Sequence, residues 1–432
     1  MPELGVHDAR ASENAVAVAQ AASEFLHYLE RSRLLTSEQI RDAAGKLEIR
    51  PNDPVVPLAK KFVKAGILTR LQVSRLLEGH YRGFFLDNYR IEEILGSGGM
   101  GWVYIARDME TGDDVALKML CEKNEKDVGL LTRFRLEAEA GMMLDHQAVV
   151  KTRKIGKTSG LYGDVHYAVM DFFKGVGIDE FVGLIGQVKP SLACHIIRYA
   201  AAGLHHGHNK GLIHRDVKPA NILVDTYSNA RIIDFGLSLA TQGDQGDEFS
   251  LAMIFGHDCL GTADYIAPEQ SKDSYNVDAR ADVYSLGATF YYMLTGQVMF
   301  PERRTRHQKI LAQQNEEPPR VRELVPDIPA GIERVLNQMI AKDPEARYRT
   351  AKGVCIALQK FANPTRVRFD FQKILDRRYA IAQQRFQLLN EKAQQKVRQT
   401  TLSECSLDSK TTRPAESVID TKVPRDTEVK LG

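Results

Sequence analysis

Leu95-Gly96-Ser97-Gly98-Gly99-Met100-Gly101-Trp102-Val103-Tyr104 is the stretch on which the fold turns. It contains G-x-G-x-x-G, a spacing that dinucleotide-binding folds share with hairpin loops covering a phosphate chain. In the dinucleotide fold the glycines run straight into a helix. Here Trp102-Val103-Tyr104-Ile105 comes next, an aromatic and β-branched run that reads as a second strand. The loop is therefore a hairpin, and its glycines let the backbone approach phosphate oxygens with no Cβ in the way. Leu95 and Val103 flank it as apolar cover for a flat base. A false friend lies at Gly156-Lys157-Thr158, where Lys151 stands in place of the leading glycine a P-loop needs.

Downstream, Val115-Ala116-Leu117-Lys118 reads as a strand ending in lysine. An ammonium inside an apolar strand needs an anionic partner, because burying it unpaired is prohibitively costly. Nucleotide phosphates would serve, together with a carboxylate from the helix Arg133-Phe134-Arg135-Leu136-Glu137-Ala138-Glu139. Glu137 and Glu139 face different sides of that helix, so only one of them can point at Lys118.

Further on, His214-Arg215-Asp216-Val217-Lys218-Pro219-Ala220-Asn221 lies beyond an amphipathic helix carrying Ala193, Ile197, Ala200 and Leu204. Ile222-Leu223-Val224 and Arg231-Ile232-Ile233, joined by the turn-rich Asp225–Ala230, form a β-hairpin. A hairpin closes its own ends, so Asn221 and the Asp234 of Asp234-Phe235-Gly236 come side by side. Two hard oxygen ligands near a phosphate loop suit Mg²⁺. Asp216 sits where a carboxylate can orient and deprotonate a substrate hydroxyl, and phosphoryl transfer asks for little beyond such positioning and charge neutralisation.

Taken in this order and spacing, the segments resemble the protein kinase superfamily, and the glycine loop is similar to that of eukaryotic-like (Hanks-type) serine/threonine kinases of the bacterial type. The resemblance covers Tyr89 to Phe361, including Ala267-Pro268-Glu269 and Asp282-Val283-Tyr284-Ser285-Leu286-Gly287. It implies an α+β, bilobal fold with a small β-rich N-lobe and a larger helical C-lobe, using ATP and Mg²⁺ to phosphorylate protein substrates and its own chain. Residue by residue it implies Asp216 as proton acceptor, Lys118 on the α- and β-phosphates, Glu137 as its helix partner, and Asn221 and Asp234 as metal ligands. Nucleotide would meet Leu95, Gly96, Ser97, Gly98, Gly99, Met100, Gly101, Trp102, Val103, Ala116 and Lys118, with Met170, Asp171 and Phe173 from the hinge. Glu269 and Arg347 match the family's buried ion pair. Lys218 and Thr262 resemble the serine/threonine class rather than the tyrosine class. Arg215 before Asp216 resembles kinases whose activation segment is ordered by phosphorylation. Thr241 and Ser250 are the candidate acceptors, and Asp244, Asp247 or Glu248 would offer Arg215 a carboxylate instead.

The rest of the 432 residues divides around this block. Residues 1–86 hold a small helical module over 24–80, expected to bind a protein partner, and 89–361 are the catalytic domain. Residues 365–400 are a helical extension and 401–432 a polar tail that reads as disordered. Within the module Leu35, Thr36 and Gln39 recur as Leu68, Thr69 and Gln72, with both threonines as candidate N-caps. A paired helical bundle explains the echo, and coincidence between two amphipathic helices is the competing account. Ile374, Ile381 and Leu388 repeat every seven residues, which fits either a short coiled coil or a helix packed on its own domain.

Net charge of +2 is too mild to argue for nucleic acid. Five scattered cysteines without a CxxC pair fit a reducing compartment. No run approaches the roughly 18 apolar residues of a membrane span, and no signal peptide is seen, so a cytoplasmic protein is expected. His205-His206-x-His208 could suggest a metal, but neighbours on a helix do not share a face, so a polar helix end is the simpler account. Arg303-Arg304-x-Arg306-His307 reads as a solvated face. Two other functions compete with phosphoryl transfer. One is a nucleotide-binding scaffold without transfer, against which intact Asp216, Lys118, Asn221 and Asp234 count. The other is a recruiting role centred on the 24–80 module.

Overall fold

The computed structural model describes residues 22–50, 53–97, 101–120, 127–159, 164–235, 262–273, 276–385 and 387. Gly98, Gly99, Met100, Gly236, Thr241, Asp244, Asp247, Glu248, Ser250, Leu388 and the polar tail lie outside the described residues.

Four short helices come first: α1 (Ala22–Ser32), α2 (Ser37–Lys46), α3 (Val55–Lys64) and α4 (Arg70–Leu77). Phe25, Leu29, Leu58 and Phe62 fill their common core. The sequence echo is a structural repeat. Thr36 and Thr69 each accept from the backbone N–H of the glutamine three residues on, whose side chain accepts from the cap's own N–H in return. The backbone ahead of each cap repeats as well, with Gly66 at φ +68° and Arg33 at +61° in the matching place. This module is docked on the chain between Ile91 and Glu92. The Thr69 hydroxyl donates to the Glu92 carbonyl (2.5 Å) and the Gln72 amide to that of Ile91 (3.0 Å).

Alternating apolar positions then build an antiparallel sheet of β1 (Phe85–Leu86), β2 (Tyr89–Ser97), β3 (Gly101–Asp108), β4 (Asp114–Leu120), β5 (Thr152–Ser159) and β6 (Asp164–Asp171), ordered β1-β2-β3-β4-β6-β5. Its core holds Ile91, Tyr104, Leu117 and Tyr167, and Leu71 of α4 is part of it. Helix α5 (Val128–Met143) packs Phe134 and Ala138 against Leu120 and Ala168.

The chain crosses into the larger lobe through β7 (Val176–Gly177), α6 (Ile178–Ile185) and α7 (Pro190–His208), then forms the hairpin of β8 (Ile222–Val224) and β9 (Ala230–Ile232). Helices α8 (Pro268–Lys272) and α9 (Ala279–Thr295) come next, with further helices to Leu358. Helix α9 is buried almost all round, the pattern of a helix at the centre of a lobe, and Ile197 and Leu204 of α7 share its core with Val283, Leu286 and Phe290. The buried Arg347 guanidinium donates both Nη atoms to Glu269 (2.6 and 2.8 Å) and Nε to the Ala341 carbonyl (2.7 Å), so its charge is paired and its donors used.

Residues 371–385 are one more helix. It packs on its own domain: Ile374 and Ala382 are buried, while Ile381, which a coiled-coil seam would need, is 52% exposed. No helix among the described residues is long and apolar enough to cross a membrane.

Candidate active site

The hairpin does what its turn chemistry requires. The Asp225 carboxylate accepts from the Tyr227 and Asn229 amides (2.9 Å each), closing the loop between β8 and β9. At the opposite end the Ile233 N–H donates to the Asn221 carbonyl (3.0 Å), which brings Asn221 and Asp234 to one mouth. Asp234 itself adopts φ +57°, a left-handed backbone that costs energy and turns its carboxylate toward the sheet.

There it meets the strand lysine. Lys118 Nζ lies 2.9 Å from Asp234 Oδ1 and 2.8 Å from Glu137 Oε2. Glu139 points elsewhere, 3.8 Å from Arg135 on the helix surface. Burial works against the Lys118 charge, but the two carboxylates outweigh it and hold its pKa above the ordinary lysine value. The same attraction overcomes burial at Asp234 and holds that carboxyl below its usual range. The three side chains form a charged bridge from α5 through β4 to the hairpin.

On the other side of the mouth, Lys218 Nζ donates to Asp216 Oδ2 (2.7 Å). The Asn221 amide donates to the Asp216 carbonyl (2.8 Å) and to Oδ2 (3.2 Å). With its NH₂ committed to Asp216, Asn221 has its carbonyl oxygen left to act as a ligand, and Asp234 has its second carboxylate oxygen. Two hard oxygens from adjacent strand ends, with phosphates and water completing the shell, suit a small divalent cation. Among the described residues no group of three or more His, Cys, Asp or Glu gathers into an all-protein metal cage.

The loop carrying Asp216 is fixed from below. Buried Asp282, in the first turn of α9, accepts from the backbone N–H groups of His214 and Arg215 (2.8 Å each) and from His208 Nε2 (2.8 Å). Burial raises the cost of its charge, yet His208, His214 and the backbone donors keep its pKa below the usual carboxylate value. His214 Nε2 donates to the Ile233 carbonyl (3.0 Å), so Nδ1 is free to accept from the Asp216 amide (3.2 Å). Phe235 packs on the His214 ring at 4.8 Å and against Gly207, where a Cβ would stand 2.5 Å from the phenyl edge. The histidine run, read from sequence as a polar helix end, thus holds one residue, His208, that anchors the Asp216 loop through Asp282. Its partner lies 74 residues away, and no local spacing signals the pairing.

Above the mouth, Gly96 pairs with Val103 and Ser97 with Trp102 across the β2–β3 hairpin. Ala116 is opposite Met170 and Val115 opposite Asp171 where β4 meets β6. The Asp171 carboxylate is turned aside to Arg153 Nε (2.6 Å), and Arg231 covers the Phe173 ring at 4.9 Å. A cavity of about 30 Å³ behind the bridge is lined by Lys118, Glu137, Thr152, Met170, Asp234 and Phe235 among others.

The sequence matches the protein kinase domain over residues 89–357. Serine/threonine-protein kinase PknB of Mycobacterium tuberculosis is 36% identical over 268 residues, taking in 61% of this chain and 41% of that protein. Serine/threonine-protein kinase PrkC of Bacillus subtilis is 29% identical over 293 residues, 68% of this chain and 42% of its own. The solved kinase domain of Mycobacterium tuberculosis PknI aligns at 24% identity and a TM-score of 0.48, covering 65% of this chain and 98% of that one. The chain spans about two-fifths of the length of the curated relatives it matches. With the domain matched over well more than half of its residues, this chain belongs to the protein kinase family.

Proposed function

We propose that this chain transfers the γ-phosphate of ATP to serine and threonine hydroxyls of proteins, including its own, in cytoplasmic signalling. The observation that carries the reading is the convergence of Asp216, Lys218 and Asn221 at the same hairpin mouth as the Lys118–Asp234 pair. In the reaction the substrate hydroxyl gives its proton to Asp216 as its oxygen bonds to the γ-phosphorus. The bond from that phosphorus to the β–γ bridging oxygen breaks, and ADP leaves. Lys218, 2.7 Å from Asp216, is positioned to neutralise the transferring phosphoryl group. Glu137 steers the Lys118 ammonium toward the α- and β-phosphates. Mg²⁺, held by Asn221 and Asp234, would neutralise charge on the phosphate chain when bound. Leu95 to Val103 of the glycine hairpin, Ala116, Met170, Asp171 and Phe173 form the proposed nucleotide bed. Lys218 and Thr262 favour serine and threonine as acceptors, and the helical module is proposed to bind a protein partner.

The test is transfer of labelled γ-phosphate to a generic basic protein, with identification of the modified side chains. Asp216→Asn should lose about 100-fold or more of transfer while still binding ATP, since the residues proposed to hold the metal remain. Near-normal turnover in that variant would overturn the assignment of Asp216.

A further inference from the structure

The matched kinase domain ends at residue 357, yet the helix over residues 371–382 touches every body that meets behind the nucleotide cleft. On the large-lobe side Ile374 enters the core around α7 and α9. Arg378 clasps Glu180 of α6 with Nε to Oε1 at 2.9 Å and Nη2 to Oε2 at 2.5 Å. At the crossing between lobes, Phe371 meets Phe172 at 6.1 Å, one residue before Phe173. On the small-lobe side Ala382 is buried in the core of the sheet and Tyr379 packs against it. Against the N-terminal module, Asp376 pairs with Arg70 (2.5 Å) and Tyr379 hydrogen-bonds with Ser74.

These anchors sort onto adjacent stripes of one helix. Ile374 and Arg378, four apart, face the large lobe, while Tyr379 and Ala382, three apart, face the small one. A helix of this length is roughly 18 Å long, enough to bridge the back of a cleft between two lobes. Kinase lobes close and open as nucleotide enters and leaves, and a rigid element tied to both opposes that motion.

We propose that the helix over residues 371–382 is a strap across the hinge, and that Arg378 is a positioning residue which, through Glu180, limits the opening of the lobes and so slows nucleotide exchange. This rests on the proposed ATP-binding reading of the cleft. The large-lobe tie is the point to cut, because among the described residues the hydrogen bonds and ion pair of Arg378 go to Glu180 and to none of the proposed catalytic or nucleotide-bed residues. Its partner Glu180 also accepts from the Gly177 N–H at 3.2 Å, so it is left intact.

The full chain is loaded with a fluorescent N-methylanthraniloyl derivative of ADP, and dissociation is followed after excess ADP is added. Arg378→Ala should speed dissociation about fivefold, the scale of one partly buried bidentate pair, with Arg378→Lys in between because it keeps one of the two hydrogen bonds. Single-turnover phosphoryl transfer at saturating ATP should stay within about twofold of the parent, since the reacting groups are untouched. Should Arg378→Ala not fold, Phe371→Ala, which loses the ring contact at the hinge, carries the same expectation. Unchanged or slower dissociation in the folded variant overturns the strap. A parent chain that binds the probe but transfers nothing overturns the kinase reading and leaves the strap measurable. A parent chain that does not bind the probe at all overturns both.

Discussion

Replacing Asp282 by asparagine tests whether the loop carrying Asp216 owes its position to one buried charge. The carboxylate has no exposure to solvent and accepts three hydrogen bonds at 2.8 Å, from His208 Nε2 and from the backbone N–H groups of His214 and Arg215. Asparagine keeps one acceptor oxygen and presents an NH₂ where at least one of those donors already points. Hydrogen bonds to a charged acceptor contribute roughly 1.5–3 kcal/mol each, and breaking a buried charged cluster costs roughly 3–5 kcal/mol. We therefore expect Asp282→Asn to lose about 3–4 kcal/mol of stability, read by urea unfolding. Asp216 lies one residue beyond Arg215, so a shift of about 1 Å in the loop should also cut phosphoryl transfer about 100-fold. Nucleotide binding should persist, because Lys118, Glu137 and the β2–β3 hairpin are held by other contacts. Its signal is available from Trp102, the single tryptophan of the chain, which sits in the glycine hairpin. Stability within about 0.5 kcal/mol of the parent, the range of an ordinary surface change, together with undiminished transfer would refute the reasoning.

Three other outcomes are expected. Glu137→Gln should reduce transfer by about 10-fold or more while Glu139→Gln leaves it near normal, because only Glu137 reaches Lys118 in the structure; a steady-state assay on both decides it. Glu93 of β2 accepts from the Arg70 N–H near Asp376, and burial pushes its pKa from 4.5 up to about 7. The folded state thus keeps a proton that the unfolded chain releases, so its contribution is full below pH 4.5 and is lost as pH rises through 7. Glu93→Gln should flatten that slope and stabilise the chain at pH 8 by at most about 3 kcal/mol, measured as the difference in thermal unfolding between pH 5 and pH 8. A chain begun at Asp87 should melt at least about 5 °C lower than the full chain, because it uncovers the sheet core beneath Leu71 and strips the Thr69 and Gln72 bonds from β2. Equal melting temperatures would mean that the module contributes nothing to the catalytic fold.

Legibility from sequence depends on the distance over which each feature is determined. The hairpin between Asn221 and Asp234 is readable because its turn residues lie between two short apolar strands, and closing such a turn fixes both ends. The caps at Thr36 and Thr69 are readable for the same reason, since a reciprocal box needs only the residue three positions on. Period alone does not choose between Glu137 and Glu139, because the choice depends on how α5 is rotated against β4. Phe134 and Ala138 settle it by filling the gap between helix and sheet. The His208–Asp282 pair is invisible to any window of sequence, as its partners come together only when α7 and α9 pack side by side.

The flanks of the catalytic domain are determined at longer range still. From sequence, the N-terminal module reads as a recruiting domain and the helix beyond the catalytic domain as either a short coiled coil or a helix packed on its own domain, because each shows an apolar stripe with no partner nearby in sequence. The structure supplies the partners from the chain itself: α4 gives Leu71 to the small-lobe core, and the helix over residues 371–382 gives it Ala382. The two flanks also hold each other through Arg70 and Asp376, far apart in the chain. An apolar stripe states that burial is required, at roughly 25 cal/mol per Å² of apolar surface, and says nothing about which surface provides it. Here the small lobe provides part of it for both, through Leu71 and Ala382, while the rest of the module's stripe closes on itself and Ile374 goes to the large lobe. Leu71 with the Thr69 and Gln72 bonds to β2 on one side, and Ala382 on the other, complete the small lobe's core, so each flank adds to that core while keeping further contacts of its own.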